Sequence, residues 1–194
     1  MRLIRQLPVL LTGLRVLLAP VVVFLALFAP IPGVFAICLL TAFLSDLFDG
    51  IVARRVGVAT PALRRFDSAA DTLFYAACLF AAWRLHPTAI TERIVPLSIL
   101  IALEGTRYLV DLAKFRREAS YHMWSSKVWG IALFVGFFAL LVLGATGAAV
   151  SLAVYAGIIA DLEGLAISVA LRTWRSDVPS LFHALQLRRN AGIE

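Results

Sequence analysis

Long, uninterrupted apolar runs are the feature that most restricts the fold of this chain. Hydrophobic residues make up 61% of its 194 residues, and its mean hydropathy is +0.91. Runs such as 9–29 and 148–171 reach about the 20 residues that a helix needs to cross the hydrocarbon core of a bilayer. Soluble domains do not carry so much apolar sequence, and the runs lack the alternation of a membrane barrel. The sequence therefore predicts an all-α integral membrane protein.

The apolar runs and their breaks predict six transmembrane helices in a single domain that covers the whole chain. Residues 1–8 are expected to form a short amphipathic helix at the membrane surface, ending at Pro8. Residues 172–194 are polar and basic, and are expected to form a partly helical cytoplasmic tail. The six helices of the predicted bundle, residues 9–171, lie at about 9–29, 34–54, 62–83, 94–112, 128–143 and 148–171.

A signal peptide is the alternative interpretation of the N-terminal segment. Arg2 and Arg5 precede an apolar run, as they would in a signal sequence. The run at 9–29 is long for such a segment, and it contains Thr12 and Arg15. A first transmembrane helix is therefore favoured.

Basic residues are distributed unevenly between the two ends of the predicted helices. The net charge is +6, and the sequence pI is about 10.0. Most Lys and Arg residues lie at the chain ends and in the loops after the second and fourth helices, whereas the other side holds only Arg84 and Arg93. The positive-inside rule then places both termini and these loops in the cytoplasm, with the protein in the inner (cell) membrane. Anionic lipid head groups explain the basic clusters, so no nucleic-acid partner is expected.

Four aspartates occur in one stretch, where two predicted helices meet the cytoplasmic side. Asp46 and Asp49 are three residues apart, and Asp67 and Asp71 are four apart, so each pair lies on one face of its helix. In two antiparallel helices, Asp49 and Asp67 would lie at one depth, with Asp46 and Asp71 about one turn deeper. Ionisable groups at membrane depth are unfavourable, so the stretch is predicted to be a functional site.

Four carboxylates at one place require compensation of their charge. They repel one another strongly at low dielectric, so they stay ionised only beside cations, or else some of them become protonated. Ligand sets made only of carboxylates favour Mg²⁺ or Mn²⁺, and a two-ion arrangement fits four aspartates.

Two classes of function are compatible with such a cluster: a metal-dependent enzyme, or a carboxylate-dependent proton- or ion-coupled transporter. Gly50 and Ala53 leave room beside the carboxylates for a ligand. Arg54 is placed to meet an anion there. These neighbours favour the enzyme.

The same stretch resembles the signature of the class I CDP-alcohol phosphatidyltransferases, D-x2-D-G-x2-A-R-x8-G-x3-D-x3-D. The chain departs from it at one position, where Leu63 replaces the second glycine. The pattern Leu11-Thr12-x2-Arg15 is also similar to the first helix of that family. Seven positions match in identity and spacing: Asp46, Asp49, Gly50, Ala53, Arg54, Asp67 and Asp71.

The resemblance implies an enzyme of phospholipid biosynthesis. Such an enzyme transfers a phosphatidyl group from CDP-diacylglycerol, or a similar CDP-linked lipid donor, to a small alcohol and releases CMP. The resemblance also implies a homodimer in the lipid bilayer, and Asp71 as the general base. The implied metal ligands, for two Mg²⁺ or Mn²⁺ ions, are Asp46, Asp49, Asp67 and Asp71. The implied donor-binding residues are Gly50, Ala53 and Arg54, and Leu63 leaves an altered nucleotide pose open.

Two basic residues are candidates for binding the acceptor alcohol. Lys127 begins the fifth predicted helix and is similar to a lysine that contributes to the family's acceptor pocket. Arg107, inside the fourth helix, is placed to bind an anion. Together they favour a phosphorylated polyol such as glycerol 3-phosphate or an inositol phosphate. The alternatives are a surface lysine at Lys127 and a structural ion pair between Arg107 and Glu104.

Further charged residues lie inside apolar helices and need partners there. Asp161 and Glu163 are in the middle of the sixth predicted helix, where unpaired burial would be strongly unfavourable. We expect them to pair with Arg15 or Arg107, or to line a polar cavity that faces the cytoplasm.

Overall fold

A computed structural model describes residues 2–58, 60–117 and 121–190, without the side chains of residues 2–5, 54, 61 and 190. The described residues are mainly helical and contain no strand, which confirms the predicted all-α fold class. Their helices are α1 (Arg2–Phe28), α2 (Pro32–Val56), α3 (Pro61–Leu85), α4 (Pro87–Thr91), α5 (Ile94–Phe115), α6 (Trp124–Leu141), α7 (Ala148–Ala170) and α8 (Leu181–Asn190).

Four of these helices are long and apolar enough to cross a membrane. Their mean hydropathies lie between 1.6 and 2.4. Helices α3 and α5 have 25 and 22 residues but are not among the four, since each carries several charged residues. The membrane segments are Gln6–Phe28, Pro32–Ala53, Trp124–Leu141 and Ala148–Ala170. A membrane protein is therefore confirmed, whereas the count of six spans is not.

Two differences from the prediction concern proline. Helix α1 continues through Pro8 and Pro20, so no break separates residues 2–8 from the rest of the helix. A proline in a helix removes one main-chain hydrogen bond and crowds the preceding turn, but the remaining turns of this 27-residue helix persist. Pro87 has a different effect, because it begins the short helix α4 directly after α3 ends. Proline suits a first helical turn, where its missing N–H group is not needed.

The connection between α2 and α3 fixes how these two helices enter the site. Gly57 ends α2 with a left-handed φ of 70°, and its N–H donates to the carbonyl of Ala53, which is a usual helix end for glycine. Thr60 caps α3, with its side-chain oxygen accepting from the Leu63 N–H at 3.2 Å. Pro61 follows at the first helical position, where proline is well suited because its missing N–H group is not needed.

The residues divide into two compact units, of which the first contains the four aspartates of the predicted site, Asp46, Asp49, Asp67 and Asp71. It comprises Met1–Ile90 and Phe137–Thr146, and within it α1 packs against both α2 and α3. Its core includes Val22, Phe35, Leu39 and Phe74, each at most 2% exposed. Apolar side chains of α1, α2 and α3 thus pack around Arg15 and the four aspartates, which these helices contribute.

The second unit comprises Thr91–Gly136 and Gly147–Glu194. In it, α7 packs against α5 and α8. A buried polar network joins the ends of α5 and α7: the Tyr121 hydroxyl lies 3.0 Å from Ser168 Oγ and donates to Asp111 Oδ1 at 3.4 Å. Burial raises the pKa of Tyr121 to about 12, so its hydroxyl keeps its proton at neutral pH.

Gly157 allows close helix packing in the second unit. A Cβ at this position would lie 2.7 Å from ring atoms of Trp129 in α6 and 2.8 Å from Leu100 Cδ1 in α5. We expect Gly157→Ala to destabilise the protein by about 1–3 kcal/mol through overpacking, despite the better helix propensity of alanine. Thermal unfolding in detergent, followed by tryptophan fluorescence, measures this change. Gly130→Ala is the matched control, since among the described residues, apart from its chain neighbours and the adjacent backbone of α6, no atom lies within 4 Å of its added Cβ. Equal melting temperatures for the two variants would contradict the packing argument.

Candidate active site

Three helices of the first unit bring polar side chains to one place. Helix α2 supplies Asp46 and Asp49, and helix α3 supplies Asp67 and Asp71. From α1, the guanidinium of Arg15 reaches all four carboxylates. We call these five side chains the aspartate–arginine cluster.

The contacts of Arg15 divide the four aspartates into two levels. Its Nη1 donates to Asp46, at 3.1 Å, and to Asp71. Its Nη2 donates to Asp49 and to Asp67. Each nitrogen therefore joins one carboxylate of α2 to one of α3. These are the two pairs, Asp49 with Asp67 and Asp46 with Asp71, that the sequence predicted for antiparallel helices.

One carboxylate of the cluster is buried, and the other three are partly exposed. The Asp49 side chain is only 6% exposed, and Thr12 Oγ1, one turn before Arg15 in α1, donates to it at 3.1 Å. The side chains of Asp46, Asp67 and Asp71 are 49%, 36% and 32% exposed. A polar ligand can therefore approach the carboxylates from the more exposed side.

The arrangement of the carboxylates suits a hard cation. One ligand oxygen from each of Asp46, Asp49 and Asp67 lies within 4.8 Å of the others. Asp71 is not in this group of three, but it shares Arg15 Nη1 with Asp46. Every potential ligand atom is a carboxylate oxygen, the donor that Mg²⁺ and Mn²⁺ prefer. The site already attracts one cationic group, the Arg15 guanidinium, so its electrostatic potential fits positive charge.

The family model of the CDP-alcohol phosphatidyltransferases matches residues 5–175. The chain belongs to this family. The match begins within α1 and ends shortly after α7, and it contains the whole aspartate–arginine cluster. No curated protein and no solved structure was found to match the chain.

Family membership establishes the general reaction. CDP-alcohol phosphatidyltransferases are membrane enzymes of phospholipid biosynthesis that transfer a phosphatidyl group from a CDP-alcohol to an acceptor. The family generally depends on divalent metal ions. The resemblance drawn from the motif is therefore confirmed, and the alternative of an ion-coupled transporter gains no support.

The other signature positions of the family lie beside the cluster along the chain. Gly50 directly follows Asp49 in α2, and Ala53 is buried one turn further on. The side chain of Arg54 lies outside the described residues. Leu63, which replaces a family glycine, is half-buried in the first turn of α3.

The two candidate acceptor residues belong to the second unit. Arg107 Nη1 lies 3.1 Å from Oδ1 of Asp161, whose side chain is fully buried. This pair confirms one of the partners expected for Asp161, and shows that Arg107 pairs there rather than with Glu104. Lys127 is exposed, and its Nζ lies 4.3 Å from the ring centroid of Trp124.

Glu163 has a partner that the sequence did not predict. Its Oε1 accepts a hydrogen bond from the backbone N–H of Leu181 at 3.1 Å. Leu181 is the first residue of α8. The carboxylate thus binds a free N–H group at a helix N-terminus, where negative charge is favourable.

The function of α1 in the site was not predicted from the sequence. Arg15 was expected to pair with Asp161 or Glu163, and Thr12 had no assigned partner. Thr12 and Arg15 are three residues apart in an otherwise apolar run, and both are 1% exposed. That spacing puts both side chains on one helix face. It was the available signal that α1 contributes a polar face to the site.

Proposed function

We propose that this protein transfers a phosphatidyl group from CDP-diacylglycerol to a phosphorylated alcohol and releases CMP. The observation that carries the proposal is the convergence of the four signature aspartates in one partly exposed cluster. It is supported by the family match over residues 5–175. The geometry of the cluster and the family match thus support the same reaction.

Asp46, Asp49, Asp67 and Asp71 are the proposed metal ligands, for two Mg²⁺ or Mn²⁺ ions. The close oxygens of Asp46, Asp49 and Asp67 support this assignment. When bound, the ions supply positive charge against the pyrophosphate of the donor. Because the carboxylates lie on two helices, they would hold that charge in a fixed place, so the site needs little rearrangement during the reaction.

Asp71 is the proposed general base. In the transfer, the acceptor oxygen forms a bond to the phosphorus that carries the diacylglycerol group. The bond from that phosphorus to the CMP oxygen breaks, and CMP leaves with the bonding electrons. The acceptor hydroxyl proton passes to a carboxylate oxygen of Asp71. Asp71 suits this function because its side chain is 32% exposed, so an acceptor hydroxyl can reach it.

Gly50, Ala53 and Arg54 are the proposed donor-binding residues. They follow Asp49 within the last two turns of α2. Gly50 has no side chain and is half-buried, so the helix surface at this position is accessible to the flat cytosine and the ribose of the donor. Ala53 is buried one turn further on, and its small side chain leaves room beside the carboxylates. Arg54 is proposed to bind a donor phosphate. Leu63, which stands in place of the family glycine in the first turn of α3, is proposed to alter the pose of the nucleotide, to weaken its binding or to reduce activity.

Arg107 and Lys127 are the proposed acceptor-binding residues. Arg107 uses Nη1 for Asp161, and its remaining N–H groups can bind a phosphate. Lys127 presents an exposed ammonium held against the face of Trp124. Two cationic groups favour a phosphorylated polyol such as glycerol 3-phosphate or an inositol phosphate as the acceptor.

The proposed topology has six spans in a single domain, with α3 and α5 added to the four apolar helices. At 1.5 Å per residue, helices of 25 and 22 residues are long enough to cross the hydrocarbon core of about 30 Å. The excess of Lys and Arg on one side supports cytoplasmic termini and a cytoplasm-facing site in the inner membrane. A homodimer is proposed by analogy with the family.

A panel of acceptors tests the proposed reaction. Purified protein would receive CDP-diacylglycerol, Mg²⁺ or Mn²⁺, and one of glycerol 3-phosphate, inositol, inositol phosphate, serine, choline or phosphatidylglycerol. We expect a lipid product with glycerol 3-phosphate or inositol phosphate, identified by mass spectrometry together with an equal amount of CMP. A product formed only with an uncharged or zwitterionic acceptor would refute the assignment of Arg107 and Lys127 to an anionic acceptor.

A further inference from the structure

Arg15 lies where a cation bound by the four aspartates would lie. Its two terminal nitrogens contact all four carboxylates, and only 1% of the residue is exposed. The oxygens that contact it include Asp46 Oδ1, Asp49 Oδ2 and Asp67 Oδ1. These carboxylates are also the three that could hold one metal ion.

One guanidinium compensates only part of the charge of the cluster. With all four aspartates ionised and Arg15 protonated, four negative charges face one positive charge. Neighbouring carboxylates repel one another strongly where water is scarce. The cluster therefore keeps a strong attraction for further cations while Arg15 is in place.

The hydrogen bonding of Arg15 is also incomplete in this position. Among the residues that the structure describes, none accepts a hydrogen bond from its buried Nε. A buried donor without a partner is unfavourable, and such groups in native proteins call for an explanation. A side chain held through its terminal nitrogens alone can withdraw from the cluster without losing a bond at Nε.

We propose that Arg15 is a resident counter-cation that holds the aspartate cluster together without metal and withdraws from the carboxylates when divalent ions bind. This inference rests on the proposed metal-dependent function of the same four aspartates. Metal loading is then an exchange of cations: the ions take the carboxylate oxygens, and the guanidinium leaves them. Because the released guanidinium stays on α1 beside the site, it becomes available to the anionic donor.

Metal affinity in an Arg15→Gln variant tests the exchange. Glutamine keeps a polar side chain but removes the competing charge. We expect Mn²⁺ to bind about tenfold more tightly or better, measured by electron paramagnetic resonance on protein in nanodiscs, without donor or acceptor. An exchange that opposes metal binding by 1.4 kcal/mol corresponds to this factor. Arg93→Gln is the matched control: Arg93 donates to Ser151 Oγ at 2.9 Å, in the second unit, and this variant should keep the wild-type affinity.

A measurement on the wild-type protein avoids any loss of folding in the variant. In protein labelled with ¹⁵N-arginine, the Nε resonance of Arg15 is assigned by its absence from Arg15→Lys. Saturating Mg²⁺, which is diamagnetic, should shift this resonance because the guanidinium leaves the carboxylates. The resonance of Arg93 should stay in place.

The outcomes separate this inference from the proposed function. Mn²⁺ that binds wild-type protein and Arg15→Gln equally well, or an Arg15 resonance that Mg²⁺ does not move, would overturn the exchange but leave the metal site intact. Absence of Mn²⁺ binding in both proteins would overturn the metal site itself, and the exchange with it. Binding seen only after Arg15 is replaced would mean that Arg15 blocks the carboxylates permanently, and would overturn both the exchange and the metal-dependent function of the wild-type protein.

Discussion

Asp71→Asn is expected to lower the rate of CMP release by about 10³-fold or more while the protein still binds metal. General base catalysis contributes typically 10²–10⁴-fold, and an amide cannot take the proton of the acceptor hydroxyl at neutral pH. Asp46, Asp49 and Asp67 still provide three close carboxylate oxygens in this variant. We therefore expect Mn²⁺ affinity to fall less in this variant than in Asp49→Asn, because Asp49 belongs to that group of three and Asp71 does not. Single-turnover CMP release and Mn²⁺ titration on the same preparation measure the two effects.

Asp177→Asn is the control for this substitution. Its side chain is 57% exposed, and its φ of 58° is one that both aspartate and asparagine tolerate. The same chemical change should therefore leave turnover and metal binding at wild-type values. If Asp71→Asn retained more than about a tenth of wild-type turnover, Asp71 would not be the base.

Asp49→Asn is expected to weaken metal binding strongly. Asp49 is the least exposed of the four carboxylates, at 6%, and Thr12 and Arg15 both bond to its Oδ2. Loss of an outer-shell partner alone typically lowers metal affinity 10–100-fold, so loss of this ligand should lower it by at least about a hundredfold. Turnover should fall with it and should recover in part at high Mn²⁺ concentration. Mn²⁺ titration with and without donor measures the effect.

Thr12→Val tests the hydrogen bond that supports Asp49 while keeping the Asp49 carboxylate itself. Valine has nearly the shape of threonine but cannot donate the 3.1 Å hydrogen bond to Asp49, so its Mn²⁺ affinity should fall less than that of Asp49→Asn. An Asp49→Asn variant with wild-type Mn²⁺ affinity would mean that the ions are bound elsewhere. The two aspartate variants should thus differ in a measurable way. Asp71→Asn should lose more turnover than Mn²⁺ affinity, and Asp49→Asn should lose both.

The long helices could be predicted from the sequence because apolar runs and their breaks determine them. Five of the six predicted helices begin and end within about four residues of observed ones, since proline, glycine and capping threonine interrupt the runs at definite places. Thr60, Pro61 and Gly57 all act in this way. The predicted start of the first helix, at residue 9, was wrong, because the energetic cost of Pro8 in a long helix was overestimated. The short helix α4 was missed because five residues carry too little periodicity.

The two levels of the aspartate cluster could also be predicted, because helix geometry converts spacing directly into depth. The position of Arg15 could not. A single arginine in an apolar helix has several acceptable partners, and only the packing of α1 against α2 and α3 selects among them. For the same reason, Asp161 was correctly expected to need an arginine, but the partner of Glu163 depended on the position of α8.

Metal-dependent release of CMP tests the central claim most directly. Purified wild-type protein and Asp71→Asn would be treated with a chelator, transferred into CDP-diacylglycerol-containing micelles with the acceptor panel, and assayed before and after addition of Mn²⁺. We expect no CMP before addition, CMP release by the wild type that requires both metal and an acceptor, and almost none from Asp71→Asn. Equal CMP release by the two proteins, or release that persists without metal, would contradict the assignment of the aspartate cluster as the active site.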